Sequence, residues 1–140
     1  MKAGEEMTPK EHLSQVKRIH DLIEDIKAEI RMLKIQRDGL TGMSYDKELV
    51  QTSLTDTGLE NQIILIEQKQ SRLAELERDY DRIREDVQKR IDRIQLETER
   101  NVLEYRYLRF LEWSDICNVM QKTQDSVYSL HKRALQHYIC

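Results

Sequence analysis

The chain has little proline and little glycine, with one Pro and four Gly among 140 residues. It also has one Trp and one Phe, and its mean hydropathy is -0.74. Few large apolar residues argue against a large buried core. Charged residues make up 35% of the chain, and the abundance of Glu, Lys, Arg, Leu and Ile is typical of long, solvated helices.

Long apolar runs and clustered cysteines are also missing. No segment approaches the roughly 18 apolar residues that span a bilayer, and no N-terminal segment has the pattern of a signal peptide. The two cysteines, Cys117 and Cys140, form no CxxC pair and have no histidine at ligand spacing. We therefore expect a cytoplasmic protein with no membrane partner, in which Cys117 is a small buried residue.

The sequence lacks the motifs of common enzyme classes. It contains no glycine-rich phosphate loop, no HExxH motif, and no Ser or Cys nucleophile with a credible base. His12 and His20 lie eight residues apart, while His131 and His137 lie six apart and therefore on different helix faces. We expect no enzymatic activity, no metal site and no cofactor. His131 is predicted to pack or hydrogen-bond within its own domain, or to approach a phosphate.

The charges are distributed unevenly along the chain. The net charge is -3, which alone does not favour nucleic-acid binding. Residues 40–97 carry nine basic and thirteen acidic side chains, whereas residues 98–140 carry six basic and five acidic ones. The acidity therefore belongs to the middle of the chain, and the C-terminal part is weakly basic.

The first long helix is predicted from a capping signal and an apolar stripe. Residues 1–8 have no pattern and are predicted to be a disordered tail. Thr8-Pro9-Lys10-Glu11 then provides a capping threonine, a first-turn proline and a glutamate three residues after the threonine. Gly39 and Gly42 are predicted to end the helix. Before Gly42, apolar residues recur at steps of three and four, with Arg37 in the slot between the last two, at Val16, Ile19, Ile23, Ile26, Ile30, Leu33 and Leu40.

A second amphipathic helix is predicted after a loop at 39–58 that is rich in Ser and Thr. Its apolar stripe consists of Leu59, Ile63, Ile66, Leu73, Tyr80, Val87, Ile91 and Ile94. Two helices with one apolar stripe each must bury those stripes, and an antiparallel hairpin over 9–97 does so, with a second copy of the chain as an additional partner. Such a hairpin serves as a scaffold, an oligomerisation element or a binding surface for another protein.

The C-terminal residues 98–140 are predicted to form three short helices. The first covers about 99–110, and Ser114 is expected to cap a second helix that contains Ile116, Val119 and Met120. Thr123 is expected to cap a third helix, from Gln124 to about Ile139. A helix, a three-residue turn and a longer helix have the spacing of a helix-turn-helix. The predicted fold class is thus all-α, a long hairpin followed by a helix-turn-helix domain.

The third helix presents a polar face opposite its apolar positions, and this face is a candidate for reading DNA. Residues predicted to meet base edges are Gln124, Asp125, Tyr128, Ser129 and Lys132. Residues predicted to contact phosphates are Lys122, Arg133, Arg106 and Arg109.

Twelve residues of this region match a known pattern, namely Arg106, Tyr107, Leu108, Trp113, Ile116, Val127, Tyr128, Leu130, His131, Arg133, Ala134 and Leu135. Together they resemble the region-four helix-turn-helix of sigma factors. The similarity is greatest to a version in small phage and prophage proteins of Gram-positive bacteria, a family of unknown function related to the ArpU and RinA type of late-gene regulators. The chain departs from the family pattern at Cys117, where the pattern has Ala, and at Gln121, where it has Gly.

The resemblance implies a phage-type transcriptional regulator that binds double-stranded DNA. It also implies that the hairpin forms a homodimer or a higher homo-oligomer, or contacts a partner such as RNA polymerase. If Gln121 needs a positive φ, its side chain costs roughly 1 kcal/mol there, unless the turn adjusts. Two alternatives stay open: an adaptor protein whose C-terminal domain binds protein, and a small DNA-packaging subunit.

Overall fold

A computed structural model describes residues 7–39 and 58–139 of the chain. Over these residues it is all-α, with no strand. The helical elements are α1 (Pro9–Asp92), α2 (Glu97–Leu103), a π-helical turn (Glu104–Leu108), α3 (Trp113–Met120) and α4 (Gln124–His137). Residues 40–57 fall within the bounds of α1 but outside the described residues, as do residues 1–6 and 140. The predicted loop at 39–58, the predicted helix end at Gly42 and most of the predicted tail therefore lie outside the described part.

The start of α1 has the predicted capping box. Thr8 is extended, at φ -69° and ψ 159°, and its Oγ1 accepts a hydrogen bond from the Glu11 backbone N–H at 3.1 Å. The Glu11 carboxylate in turn accepts from the Thr8 N–H at 3.0 Å. The two bonds satisfy donors that a helix N-terminus leaves without intrahelical partners, so the helix begins at Pro9 as its sequence predicts.

The described parts of α1 form two arms, a first arm at 9–39 and a second arm at 58–92, and they divide between two compact units. The first unit contains residues 21–78. Within it, Lys69 Nζ lies 2.9 Å from Glu29 Oε1, and Gln62 Nε2 donates to Gln36 Oε1 at 3.5 Å. The residue number falls on one arm as it rises on the other, so the arms are antiparallel. The predicted helical hairpin is confirmed.

The second unit combines the base of the hairpin, residues 7–20 and 79–92, with the C-terminal helices. In it His12 Nε2 lies 3.3 Å from Asp86 Oδ2, which again pairs the arms antiparallel. The predicted division at residue 98 concerns function and stays a prediction; in packing, residues from both sides of it share one core. That core includes Leu13, Val16, Val87, Ile91, Ile94, Val102, Leu103, Tyr107, Leu108, Ile116, Val127, Leu130, Ala134 and Tyr138.

Several local predictions need correction. Gly39 is helical and does not end α1, because a helix interior tolerates glycine at a cost of about 1 kcal/mol. Ser114 lies inside the first turn of α3, because the Ile116 N–H already bonds to the carbonyl of Glu112, the actual N-cap. Ile63 is 40% exposed, since the second arm buries Ile66 instead.

No described helix is both long and apolar enough to cross a membrane.

Candidate nucleic-acid interface

A three-residue turn joins α3 to α4 and sets the direction of the second helix. Gln121 is left-handed, at φ 55° and ψ 48°. Its N–H bonds to the Asn118 carbonyl at 3.3 Å, and the Lys122 N–H bonds to the Cys117 carbonyl at 3.1 Å. This pair of bonds is the Schellman motif that closes a helix C-terminus. Gln121, which stands where the family pattern has Gly, therefore has a positive φ.

The next helix starts at a side-chain cap. Thr123 is extended, and its Oγ1 accepts from the Ser126 N–H at 3.2 Å. The predicted cap is confirmed, and α4 extends from Gln124 to His137, two residues short of the predicted end. Together α3, the turn and α4 have the arrangement of a helix-turn-helix.

The outer face of α4 contains most of the predicted DNA-binding side chains. Val127, Leu130 and Ala134 are buried against the core, which turns the opposite side of the helix to solvent. That side is exposed at every predicted base-reading or phosphate-binding position of the turn and helix, namely Lys122, Gln124, Asp125, Tyr128, Ser129, Lys132 and Arg133. Seven of the nine predicted site residues thus share one continuous surface.

Arg106 and Arg109 lie apart from that surface, on the π turn and just after it. The Arg106 guanidinium stacks on Trp113, with its central carbon 4.6 Å from the ring centroid, and donates to the Leu111 carbonyl at 3.0 Å. Arg109 is exposed, with its guanidinium 5.6 Å from the Tyr105 ring centroid. Arg106 therefore braces the start of α3, and its predicted phosphate contact, like that of Arg109, stays a prediction.

A partly buried aromatic cluster holds α4 in place. The Tyr107 hydroxyl lies 2.8 Å from His131 Nε2, and the His131 and Trp113 rings meet edge to face at 4.8 Å. Burial, aided by the charges of Lys10 and Arg106, lowers the pKa of His131 to about 4. Burial likewise raises the pKa of Tyr107 to about 12. At neutral pH the bond thus joins a neutral tyrosine to a neutral imidazole, and the prediction that His131 packs and hydrogen-bonds is confirmed.

Glu99 supplies a second polar anchor, which the sequence did not indicate. Its side chain is buried, and Oε1 lies 2.6 Å from His137 Nδ1. The bond ties the first turn of α2 to the last residue of α4. The other carboxylate oxygen is buried with no hydrogen-bond partner. A buried carboxylate without its partner lowers the stability of the fold. The bond to His137 therefore holds the end of α4 against the start of α2.

A polar cleft of about 350 Å³ opens beside α4. Two cationic side chains and three hydroxyl groups line it, a combination suited to an oxyanion such as a phosphate. Sequence reasoning missed Thr98, because only tertiary packing brings the start of α2 beside α4, and it also missed Ser126, which lies on α4 itself. The lining residues are Thr98, Lys122, Asp125, Ser126, Ser129, Leu130 and Arg133.

Among the described residues, the cations at this surface have no acidic partner, a property that they share with Arg31 and Lys34 of the hairpin. Within the described residues, Lys122, Lys132 and Arg133 form no salt bridge, whereas Arg90 pairs with Asp86 and Lys69 with Glu29. Asp125 is also without a cationic partner there. The surface of α4 therefore keeps cations available to an anionic ligand, with one carboxylate opposing them.

Two neighbouring polar side chains are held in fixed relation. Gln124 Nε2 donates to the Tyr128 hydroxyl at 2.7 Å, and the Tyr128 ring meets Trp113 edge to face at 5.2 Å. The glutamine amide is thereby held next to the Tyr128 hydroxyl, one turn further along α4. The described residues contain no cluster of three or more His, Cys, Asp or Glu side chains that could hold a metal ion.

Comparison of the chain with protein-family models, curated proteins and solved structures finds no match. The resemblance to region four of sigma factors therefore rests on the residues quoted above alone.

Proposed function

We propose that this chain is a binding protein that docks α4 in the major groove of double-stranded DNA, as a phage-type transcriptional regulator does. The observation that carries the proposal is the outer face of α4, where Lys122, Lys132 and Arg133 have no salt-bridge partner among the described residues and lie at or beside a hydroxyl-lined cleft. A helix-turn-helix places the N-terminal part of its second helix against base edges. Here that part is supported rigidly from behind by Val127 and Leu130.

Each side chain has a role that follows from its chemistry. Lys122 and Arg133 flank the cleft and bind backbone phosphates, which positions the domain without reading sequence. Gln124 has the amide that pairs with adenine, and Lys132 has the amine that pairs with guanine. Asp125 accepts from the cytosine amino group and repels phosphates, so it contributes to sequence selection more than to affinity.

The test is a titration of labelled double-stranded DNA by fluorescence anisotropy at about 50 mM salt, where phosphate contacts are strongest. The double variant K132E/R133E should weaken binding at least about 100-fold, since it replaces two cationic side chains with two that repel phosphate. R31E/K34E is the matched control, because it makes the same charge change at positions of the hairpin. Equal weakening in both variants, or no binding by the wild type, would contradict the proposal.

The salt dependence supplies a second readout. Removing one phosphate-binding side chain should reduce the slope of log affinity against log salt by about one. Lys122→Ala should therefore lower the slope, and Gln124→Ala should leave it unchanged while altering sequence preference. A slope that is the same in all variants would show that these side chains do not contact phosphates.

Exposed apolar side chains favour a second candidate, in which the C-terminal domain contacts a protein such as RNA polymerase. Val119 is 53% exposed on α3, and the domain is nearly neutral. Purified RNA polymerase from a Gram-positive bacterium is the probe. If this candidate holds, V119D abolishes polymerase binding and K132E/R133E preserves it. The DNA-binding proposal expects instead that K132E/R133E abolishes DNA binding and that V119D preserves it.

A further inference from the structure

Lys10, in the first turn of α1, is brought close to α4 by the packing of the second unit. His12 Nδ1 lies 2.8 Å from the hydroxyl of Tyr138, the residue that follows α4. Further along the same arm, Lys17 Nζ lies 5.7 Å from the centre of the Phe110 ring. Because residues seven apart share one side of a helix, Lys10 is on the side of α1 that turns towards the π turn and the start of α3.

Lys10 places a positive charge beside a flank of α4 whose own histidine is neutral. After burial, the charges of Lys10 and of Arg106 lower the pKa of His131, so both cations lie near this ring. The Lys10 side chain is exposed and has no acidic partner among the described residues. The adjacent Glu11 carboxylate accepts the Thr8 N–H at the helix cap. An anion that approaches this flank therefore meets an available ammonium group.

The two flanks of α4 thus both lie beside cations. Residues two apart on an α-helix are separated by about 200° around its axis, so Arg133 and His131 are on opposite sides. Arg133 lines the cleft together with Lys122, whereas His131 meets the Trp113 ring. The major groove of DNA is about 12 Å wide and has one phosphate backbone along each edge. A helix that lies in the groove therefore presents each of its flanks to a different strand.

We propose that Lys10 binds a backbone phosphate of the DNA strand opposite to the one held by Lys122 and Arg133. The base of the hairpin is then part of the DNA interface, and α4 is fixed in the groove from both sides. This proposal rests on the function proposed for α4, and it adds a contact from outside the helix-turn-helix. A lysine suits this position, because its ammonium is a compact charge on a flexible stem that reaches the edge of the groove.

The test is a salt series from about 50 to 200 mM, in which the full chain is titrated against labelled random-sequence duplex by fluorescence anisotropy. K10A should weaken binding about five- to tenfold at the lowest salt and reduce the slope of log affinity against log salt by about one. K10R keeps the charge and should retain the wild-type slope. K34A is the matched control, since it removes another exposed lysine with no acidic partner among the described residues. It should bind as the wild type does.

A double variant tests whether the two flanks contact different phosphates. K10A and K122A should each reduce the slope by about one, and K10A/K122A by about two. Circular dichroism of every variant establishes that the helices remain formed. A wild-type slope in K10A, an equal loss in K34A, or a double variant no different from K122A would overturn this proposal while K132E/R133E still upholds DNA binding by α4. A wild type that does not bind DNA would overturn both proposals.

Discussion

Two residues other than glycine hold left-handed backbone in the second unit, Phe110 at φ 60° and Gln121 at φ 55°. An L side chain in this conformation costs about 1 kcal/mol relative to glycine. The two side chains differ in how much packing they contribute to offset this cost. The Phe110 ring packs on His20 at 4.9 Å between centroids and lies 5.7 Å from Lys17 Nζ, whereas Gln121 is exposed.

Replacing Gln121 with glycine should therefore stabilise the protein by about 1 kcal/mol, because it removes strain and no packing. The same change at Phe110 should destabilise it, since the ring packing that it removes outweighs the strain that it relieves. Urea unfolding followed by circular dichroism measures both. Q121A is the control and should give no gain. A decrease of stability in Q121G would show that the glutamine side chain makes a stabilising contact.

His131 should make stability depend on pH. Its pKa is about 4 in the folded protein and 6.5 when unfolded, so the unfolded chain takes up a proton first as the pH falls. The stabilisation from the neutral imidazole is complete above pH 6.5 and is lost between pH 6.5 and 4. After allowance for partial exposure the loss is roughly 2 kcal/mol.

The comparison of wild type with H131F isolates this effect. The variant keeps an aromatic ring but cannot titrate, so the difference in unfolding free energy between the two proteins should shrink as the pH falls from 7 to 4. The lowered pKa of His12, caused by burial and by Arg90, acts in the same direction in both proteins and cancels. A difference that is constant with pH would contradict the assignment.

At the scale of elements, the cleft beside α4 places one carboxylate among the groups proposed to bind phosphate. Asp125 lines the cleft with Lys122 and Arg133. Asp125→Asn should tighten binding to DNA of random sequence about three- to tenfold, since it removes repulsion from the phosphates. Anisotropy titrations measure the change, and unfolding measurements control for the removal of an acidic residue from the first turn of α4. Weaker binding to every sequence would show that Asp125 supports the site.

The π turn shows where sequence reasoning reached its limit. A helix was predicted over 99–110, but the bond from the Arg109 N–H to the Glu104 carbonyl at 2.9 Å makes this stretch π-helical. The wider turn buries Tyr107 and Leu108 together and brings the tyrosine hydroxyl to His131. No local pattern distinguishes such a turn from an α-helix, because His131, the partner that Tyr107 gains from it, lies 24 residues further along the chain.

Features that depend on local chemistry were predicted well. The capping box at Thr8, the cap at Thr123 and the inward positions of α4 follow from bonds and spacings within a few residues. The outward face of α4, and so most of the candidate site, follows from that spacing. Thr98 and Ser126 could not be predicted as neighbours, because their proximity depends on how α2 packs on α4.

At the scale of the molecule, the shared core predicts that the C-terminal helices do not fold alone. A fragment of residues 98–140 lacks Leu13, Val16, Val87 and Ile91, which belong to the same core. It should show little helix by circular dichroism and no cooperative unfolding transition. A protein in which a short glycine-serine loop replaces 21–78 is the control. It keeps the base of the hairpin, where His20 and Tyr80 lie 6.2 Å apart between ring centroids, and should fold cooperatively. A well-folded 98–140 fragment would contradict the prediction.

The contact between His12 and Tyr138 has a consequence for how the protein is made. His12 Nδ1 lies 2.8 Å from the Tyr138 hydroxyl, across 126 residues of sequence, and Arg90 donates to the Ile139 carbonyl at 2.9 Å. The first helical turns are synthesised long before the residues that cover them, and domains generally fold as units. Leu13 and Val16 share their core with the C-terminal helices, so on the ribosome that core cannot be completed until those helices have been synthesised. Closing that distance is a non-local step of the kind that slows folding.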